Sequence, residues 1–283
     1  MAQSANSEQE TFWSDEAGPL WVRHADGMDR TLRPVLERVV ELAEIATGAH
    51  ILDIGCGTGA SLQRLAEAVG PEGRVLGVDI STTMLASAEV RVQTLSQVRV
   101  ARADAATYEF SGSSFDGAVS RFGVMFFTDP AAAFANIGRS LKPGAAVTFA
   151  AWGAIEENPW FVLPAQAAKA VLGAPPPVDP DEPGPFAFRD PDRVRRILND
   201  AGFTDIEIAV EHHTLTPEGS LEETAAFNSV IGPAGRTITH FQADEDARLA
   251  VRRGIEKLFT RFVTPDGLRV PAQINFCRAK APD

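Results

Sequence analysis

Apolar residues in the first half of the chain recur first at helical and then at strand spacing. Leu32, Val35, Leu36, Val39, Val40 and Leu42 stand three to four apart. That spacing predicts an amphipathic helix over 32–45, with Pro34 in its first turn, where no partner for its nitrogen is needed. Thr47-Gly48 ends it. Short apolar runs then alternate with helical patterns. Strands are predicted over 51–54, 75–79, 98–102, 117–120 and 146–151, and helices over 60–69, 82–95 and 130–141. Alternation at this pitch predicts an α/β chain built on a parallel sheet with helices on both faces.

Beyond Trp152 the alternation breaks. Residues 158–172 read as a helix. The run Ala174-Pro175-Pro176-Pro177-Val178-Asp179-Pro180-Asp181-Glu182-Pro183-Gly184-Pro185 holds neither a regular helix nor a central strand, so it reads as a stiff exposed connection at the edge of a lid. A helix over 191–201, a strand over 206–210, helices over 220–231 and 244–262 and a last strand over 274–278 follow. At the other end, residues 1–12 are expected to be frayed. Residues 11–30 carry Phe12, Trp13, Leu20 and Trp21 among polar residues and read as short helical pieces.

Composition narrows the class. A chain of 283 residues with 45% hydrophobic content can bury a substantial core. A formal charge of -12 with no basic cluster argues against duplex nucleic acid as a partner. Two cysteines, Cys56 and Cys277, supply neither a disulfide framework nor a metal cluster and fit a reducing compartment. The first ten residues are polar, unlike a signal peptide, and no apolar run has the length of a membrane span. The expected location is cytoplasmic.

The candidate chemistry begins at His50-Ile51-Leu52-Asp53-Ile54-Gly55-Cys56-Gly57-Thr58-Gly59. This is a buried strand breaking into a glycine-rich turn that opens a helix. Such a turn lets a ligand approach bare backbone. A dinucleotide-binding loop wants G-x-G-x-x-G, with its last glycine one position later. Asp53 at the strand end would repel a pyrophosphate and attract an ammonium group. Asp79 ends the second strand about twenty residues on, where a carboxylate can accept from two ribose hydroxyls. Ser81 is available to cap the helix that follows, which leaves Asp79 free for that role.

The run Leu52-Asp53-Ile54-Gly55-Cys56-Gly57-Thr58-Gly59 resembles the first motif of the class I S-adenosylmethionine-dependent methyltransferases. Val75-Leu76-Gly77-Val78-Asp79-Ile80-Ser81, Ala101-Arg102-Ala103-Asp104-Ala105, Phe115-Asp116-Gly117-Ala118-Val119-Ser120 and Arg139-Ser140-Leu141-Lys142-Pro143-Gly144-Ala145 follow in the family's order. The likeness covers roughly residues 30–152 and is nearest to small-molecule enzymes similar to the quinone-pathway C-methyltransferases. It implies a Rossmann-like, seven-stranded, mostly parallel sheet with the last strand antiparallel and helical lid insertions. It implies a core over 31–213 and 264–283 with a Pro-rich insertion over 153–188, a cap over 1–30, and a helical insertion over 214–263 covering the acceptor.

The resemblance also implies site residues. Asp53, Gly55, Cys56, Gly57 and Gly59 would hold the methionine part, with Cys56 a small packing residue. Asp79, Ile80 and Met84 would hold the ribose and flank the adenine, and Asp104 and Ala105 would meet the adenine edge. Ser120 and Arg121, at the end of the fourth strand, would stand where methyl and acceptor meet. Trp21, Phe122 and Trp152 are candidate acceptor-pocket residues and His24 a candidate base. His212 and His213, adjacent on a strand, point to opposite faces and cannot chelate one ion. No metal is expected. The Asp/Asn-Pro-Pro-aromatic run of amino-directed nucleic-acid enzymes, the acidic ligand of metal-dependent catechol enzymes and the paired glutamates of arginine methyltransferases are all absent after Ser120.

The reaction implied is transfer of a methyl group to a small-molecule acceptor, leaving S-adenosylhomocysteine. The alternatives are a module that binds S-adenosylmethionine without turning it over and an NAD-dependent oxidoreductase. The acceptor, the atom methylated and the oligomeric state are not legible in the residues.

Overall fold

The computed structural model describes residues 6–110 and 112–282. Residues 1–5 of the segment expected to fray lie outside the described residues. From Asn6 onward that expectation is corrected. Helix α1 (Ser7–Thr11), a π-helical turn (Phe12–Glu16), α2 (Ala17–Arg23) and α3 (Ala25–Thr31) form a continuous winding segment, and Asn6 is buried. It is held down by side chains. The Ser81 hydroxyl donates to the Trp13 carbonyl at 2.7 Å, and the Thr83 hydroxyl donates to the Ser14 carbonyl at 2.7 Å.

Helix α4 (Arg33–Ala43) follows, burying Val35, Leu36, Val39 and Val40 as its spacing predicts. Then strands and helices alternate: β1 (His50–Ile54), α5 (Ala60–Val69), β2 (Arg74–Asp79), α6 (Thr82–Val92), β3 (Val98–Arg102), β4 (Phe115–Arg121), α7 (Pro130–Ser140) and β5 (Leu141–Trp152). Local chemistry starts the helices. Ser81 accepts from the Met84 N–H, and Asp129 accepts from the Ala132 N–H ahead of Pro130.

The second half contains α8 (Pro159–Leu172), α9 (Pro191–Asp200), β6 (Thr204–Leu215), α10 (Leu221–Val230), α11 (Gly232–His240), α12 (Glu245–Phe259), a two-residue-stranded hairpin of β7 (Val263–Thr264) and β8 (Gly267–Leu268), and β9 (Val270–Lys280). The main sheet has seven strands in the order β3-β2-β1-β4-β5-β9-β6. Its first five strands are parallel, and β9 runs antiparallel to both neighbours. The α/β class, the seven strands and the antiparallel last strand therefore stand as expected.

Two readings change. The strand expected over 206–210 runs from Thr204 to Leu215, because β9 offers it a partner as far as Val270. Its edge position explains the missed half: Glu211, His212 and His213 continue the ladder with polar side chains, as edge strands do. Between the last two strands lie three helices rather than two. Gly232-Pro233 reads as a break, yet proline here occupies the first turn of α11.

Helices α8, α10, α11 and α12 pack on one another, with α8 also touching β9. On the sheet, Phe134 of α7 packs against Phe149 of β5 with ring centres 5.5 Å apart. Leu52 and Ile54 of β1 and Leu62 and Leu65 of α5 are fully buried. The core is thus complete beneath the carboxyl ends of the strands, which leaves that end to be covered by other segments.

Candidate functional site

The glycine loop is shaped by positive φ angles of 69° at Gly55, 55° at Gly57 and 89° at Gly59. Each is strained for a residue with a Cβ. Space adds a second constraint at Gly55, where a Cβ would stand 2.7 Å from the Gly123 Cα. The loop after β1 therefore touches the loop after β4 backbone to backbone. At Gly59 a Cβ would meet Ala88 of α6 at 3.2 Å. Gly57 faces open space, with Met84 Sδ at 4.0 Å the nearest atom. Its N–H donates to Asp79 Oδ2 at 2.8 Å.

Three carboxylates surround this loop in different electrostatic settings. Asp79 is 7% exposed and accepts from the Gly57 and Ser81 N–H groups, one on each oxygen. Burial raises its pKa, and these backbone donors pull it back. Asp53 is 1% exposed and accepts from the Ser61 hydroxyl at 2.5 Å. Burial pushes its pKa up to about 7, against the Ser61 hydrogen bond and the Arg121 charge that favour the ionised form. Its other oxygen, Oδ1, is buried without a partner. Asp104 Oδ1 accepts from the Asn6 side-chain amide at 2.9 Å and from the Ala106 N–H at 3.0 Å, while its Oδ2 is likewise buried and unpartnered. Buried orphan acceptors are uncommon, and two beside one loop mark where donors are wanted.

A cavity of about 960 Å³ opens from this loop. Gly55, Cys56, Gly57, Asp79, Ile80 and Met84 line one side, with Asp104 and Ala105 beside them. Arg121, Phe122, Trp21 and Trp152 line it further along. Phe122 and Trp152 stack at 4.5 Å with their planes 6° apart. Phe122 has φ 68°, a left-handed conformation that costs a non-glycine residue about 1–3 kcal/mol. The Phe122 N–H donates to the Ala150 carbonyl at 3.0 Å, which helps to hold that ring over Trp152.

Four candidates lie off the wall. Ser120 is 0% exposed, and its hydroxyl donates to the Ile54 carbonyl at 2.7 Å and accepts from the Gly123 N–H at 3.1 Å. It stitches β4 to β1 and is not brought to the cavity. Asp53 stands behind the wall, which it meets through Ser61. Gly59 lies against α6. The His24 ring packs edge-on against Phe227 at 5.1 Å, outside the lining, and burial followed by the Arg23 charge lowers its pKa. Arg121 is on the wall but already paired. It donates to Asp29 Oδ1 at 3.1 Å, while Arg91 holds Asp29 Oδ2 at 2.5 Å.

The structure adds wall residues that the sequence reading missed. Ser61 carried a usable signal, lying in the first turn after the loop, eight residues past Asp53. Asn6 carried none, because its partners Asp104 and Thr128 are about a hundred residues away. Arg236 sits on α11, the helix that was not expected, one turn before His240, a histidine that the sequence places in a segment able to cover the pocket. Pro185 and Phe186, at the end of the Pro-rich connection, also reach the wall, and the Gly184 N–H donates to the Met125 carbonyl at 3.0 Å.

Residues 51–144 match the methyltransferase domain family. The chain is 38% identical over 113 residues to a nocamycin O-methyltransferase of Saccharothrix syringae, covering 39% of this chain and 40% of that protein. It is 33% identical over 108 residues to a demethylmenaquinone methyltransferase of Staphylococcus carnosus, covering 38% and 45%. It is 31% identical over 182 residues to an O-methyltransferase of Penicillium expansum, covering 63% and 60%. The aligned part spans about half the length of these curated relatives. Among solved structures, a Haemonchus contortus phosphoethanolamine N-methyltransferase in complex with S-adenosyl-L-methionine superposes with a TM-score of 0.53 at 23% identity, over 88% of this chain and 53% of that one. The matched family segment ends at the fifth strand, so it takes in the glycine loop and the three acids and leaves out α8 and α10–α12.

Proposed function

We propose that this chain, which carries a class I S-adenosylmethionine-dependent methyltransferase domain, transfers the sulfonium methyl group to a small-molecule acceptor held in the same cavity. The observation that carries the reading is the continuity of that cavity. A bare glycine loop flanked by carboxylates and a set of aromatic side chains line one and the same cavity. Its volume lies near the top of the range of about 300–1,000 Å³ for ligand pockets.

The residues present fit the cofactor. Asp79 keeps a spare lone pair on each oxygen for ribose hydroxyls, with its geometry set by the Gly57 and Ser81 N–H groups. The orphan Oδ2 of Asp104 suits an amino-group donor on the adenine edge, between Ile80 and Ala105. The orphan Oδ1 of Asp53 supplies negative charge behind Ser61, where an ammonium group would be stabilised. Cys56 is buried with its thiol pKa raised well above normal, as a packing residue's is.

When bound, the sulfonium supplies an already activated methyl group, so the protein's work is alignment and exclusion of water. The Phe122–Trp152 stack and the roof of α10 and α11 exclude water from the acceptor end. A binding module without turnover is less favoured, because such a chain has no need of an aromatic lining that extends beyond the loop. The N-terminal segment and the helices between β6 and β9 are assigned to covering the site. Calorimetry with S-adenosylmethionine, S-adenosylhomocysteine and NAD tests the cofactor: binding of the first two and not the third is expected, and tight NAD binding without a response to S-adenosylhomocysteine overturns the reading. Transfer of a labelled methyl group to a panel of small acids, phenols and amines then tests turnover.

A further inference from the structure

Five side chains with a formal charge line the cavity: Glu16, Asp79, Asp104, Arg121 and Arg236. Three have protein partners: Asp79 accepts two backbone N–H groups, Asp104 accepts from Asn6 and Ala106 on one oxygen, and Arg121 pairs with Asp29 through Nη2 while its Nη1 is buried without a partner. Glu16, in the N-terminal segment, and Arg236 both have exposed side chains, and Arg236 is the cation of the two. It projects from the middle of α11, and among the described residues no carboxylate lies within ion-pair distance and no hydrogen-bond acceptor is recorded for it. Surrounding protein disfavours its charge and lowers its pKa, with no opposing interaction.

The same cavity is lined by a chain of aromatic contacts: Phe122 on Trp152 at 4.5 Å, Trp152 on Phe161 at 4.9 Å and Phe161 on Phe186 at 4.9 Å, with Trp160 on Phe227 at 6.2 Å. A guanidinium on the lining of such a cavity, with no carboxylate of the protein to pair with, has no counter-charge of its own. Arginines with structural roles elsewhere in the fold are satisfied: Arg38 by Glu211 and Glu41, and Arg248 by the Ala243 carbonyl. A ligand that brings its own anion would give Arg236 the counter-charge it lacks, and the planar fork of guanidinium matches a carboxylate in two-point contact.

We propose that Arg236 is a specificity-determining residue, and that the acceptor is a ring-bearing, mainly apolar molecule whose carboxylate seats against Arg236 while its rings lie on the Phe122–Trp152–Phe161 wall. This rests on the methyltransferase reading for the word acceptor, but not for the binding preference itself. His240, one turn further along α11, also faces the cavity and contributes a polar edge at the same end.

The test compares 2-naphthoate with 2-naphthamide, which differ only in charge at the carboxyl position. Each is titrated by calorimetry into the protein, alone and saturated with S-adenosylhomocysteine. The expected result is at least tenfold tighter binding of the acid. Arg236→Met is expected to level the two ligands, Arg236→Lys to restore part of the preference, and Arg236→Gln to repeat the loss should the Met variant prove less stable. S-Adenosylhomocysteine affinity should be the same in all of them. Equal binding of the two probes, binding of neither, or a preference that survives Arg236→Met overturns the proposal. Failure of S-adenosylhomocysteine to bind the unaltered protein strikes the methyltransferase reading instead, and the naphthoate preference is read separately from it.

Discussion

The two walls of the cavity are built by different means. The glycine-loop wall is made of backbone: positive φ angles, N–H groups aimed at Asp79, and a contact between Gly55 and Gly123 too tight for any Cβ. The aromatic wall is made of side chains from segments far apart in the chain, with Trp21, Phe122, Trp152, Phe186 and Phe227 meeting only in the fold. A backbone wall tolerates almost no substitution, because its shape and hydrogen bonds are one object. A side-chain wall can change its contents while the helices behind it stay in place. The matched family segment contains most of the first wall and little of the second.

The largest effect should come from crossing the Gly55–Gly123 contact. Gly55→Ala is expected to cost about 2–5 kcal/mol, combining a strained φ with a backbone clash. Urea denaturation reads this. A loss below about 1 kcal/mol would mean that the wall is softer than the contact implies.

Asp79→Ala strands two N–H groups and removes the acceptors offered to the ribose, each charge-assisted bond worth about 1.5–3 kcal/mol. S-Adenosylhomocysteine should bind roughly a hundredfold more weakly, while the strand-end position leaves the fold intact. An unchanged dissociation constant would reduce Asp79 to a turn-forming residue.

Asp53 gives a pH signature. Its pKa is about 7 in the fold and lies in the ordinary carboxylate range when unfolded. The native state therefore binds the extra proton between roughly pH 4 and 7, so this group's contribution is fully present below the carboxylate range and is lost as pH rises toward 7. Asp53→Asn should remove that decline from a stability-against-pH curve. With the wild-type protein near pH 6, binding of a ligand bearing an ammonium group should release protons, measurable as a dependence of calorimetric heat on buffer. No buffer dependence would place the ammonium elsewhere.

The smallest effect sharpens the boundary between the walls. Asn6 joins the N-terminal segment to Asp104 and Thr128. Asn6→Ala should weaken S-adenosylhomocysteine binding only a few-fold, at about 1 kcal/mol for a net hydrogen bond. Hydrogen exchange over residues 7–31 should show added protection with the ligand in the wild type and less in the variant. Equal protection with and without ligand would detach this segment from the site.

The sequence by itself determined the backbone half. Glycine spacing, an acid at each strand end and the alternation of strand and helix act within about twenty residues, so a linear pattern carries them. That is why Gly55, Gly57, Asp79, Met84 and Asp104 are legible in the sequence, and all five line the cavity. Only the tertiary structure decided the rest. Ser120 sits at the expected strand end, yet its hydroxyl is consumed by the Ile54 carbonyl, a fact of strand pairing that no local pattern encodes. Asn6 reaches Asp104 across nearly a hundred residues. Arg236 stands on a helix whose Gly-Pro start reads as a break, and its lack of a counter-ion becomes visible only when the surrounding elements are in place. Residues that shape a loop obey short-range sterics. Residues that fill a cavity are chosen by neighbours brought together when the chain folds.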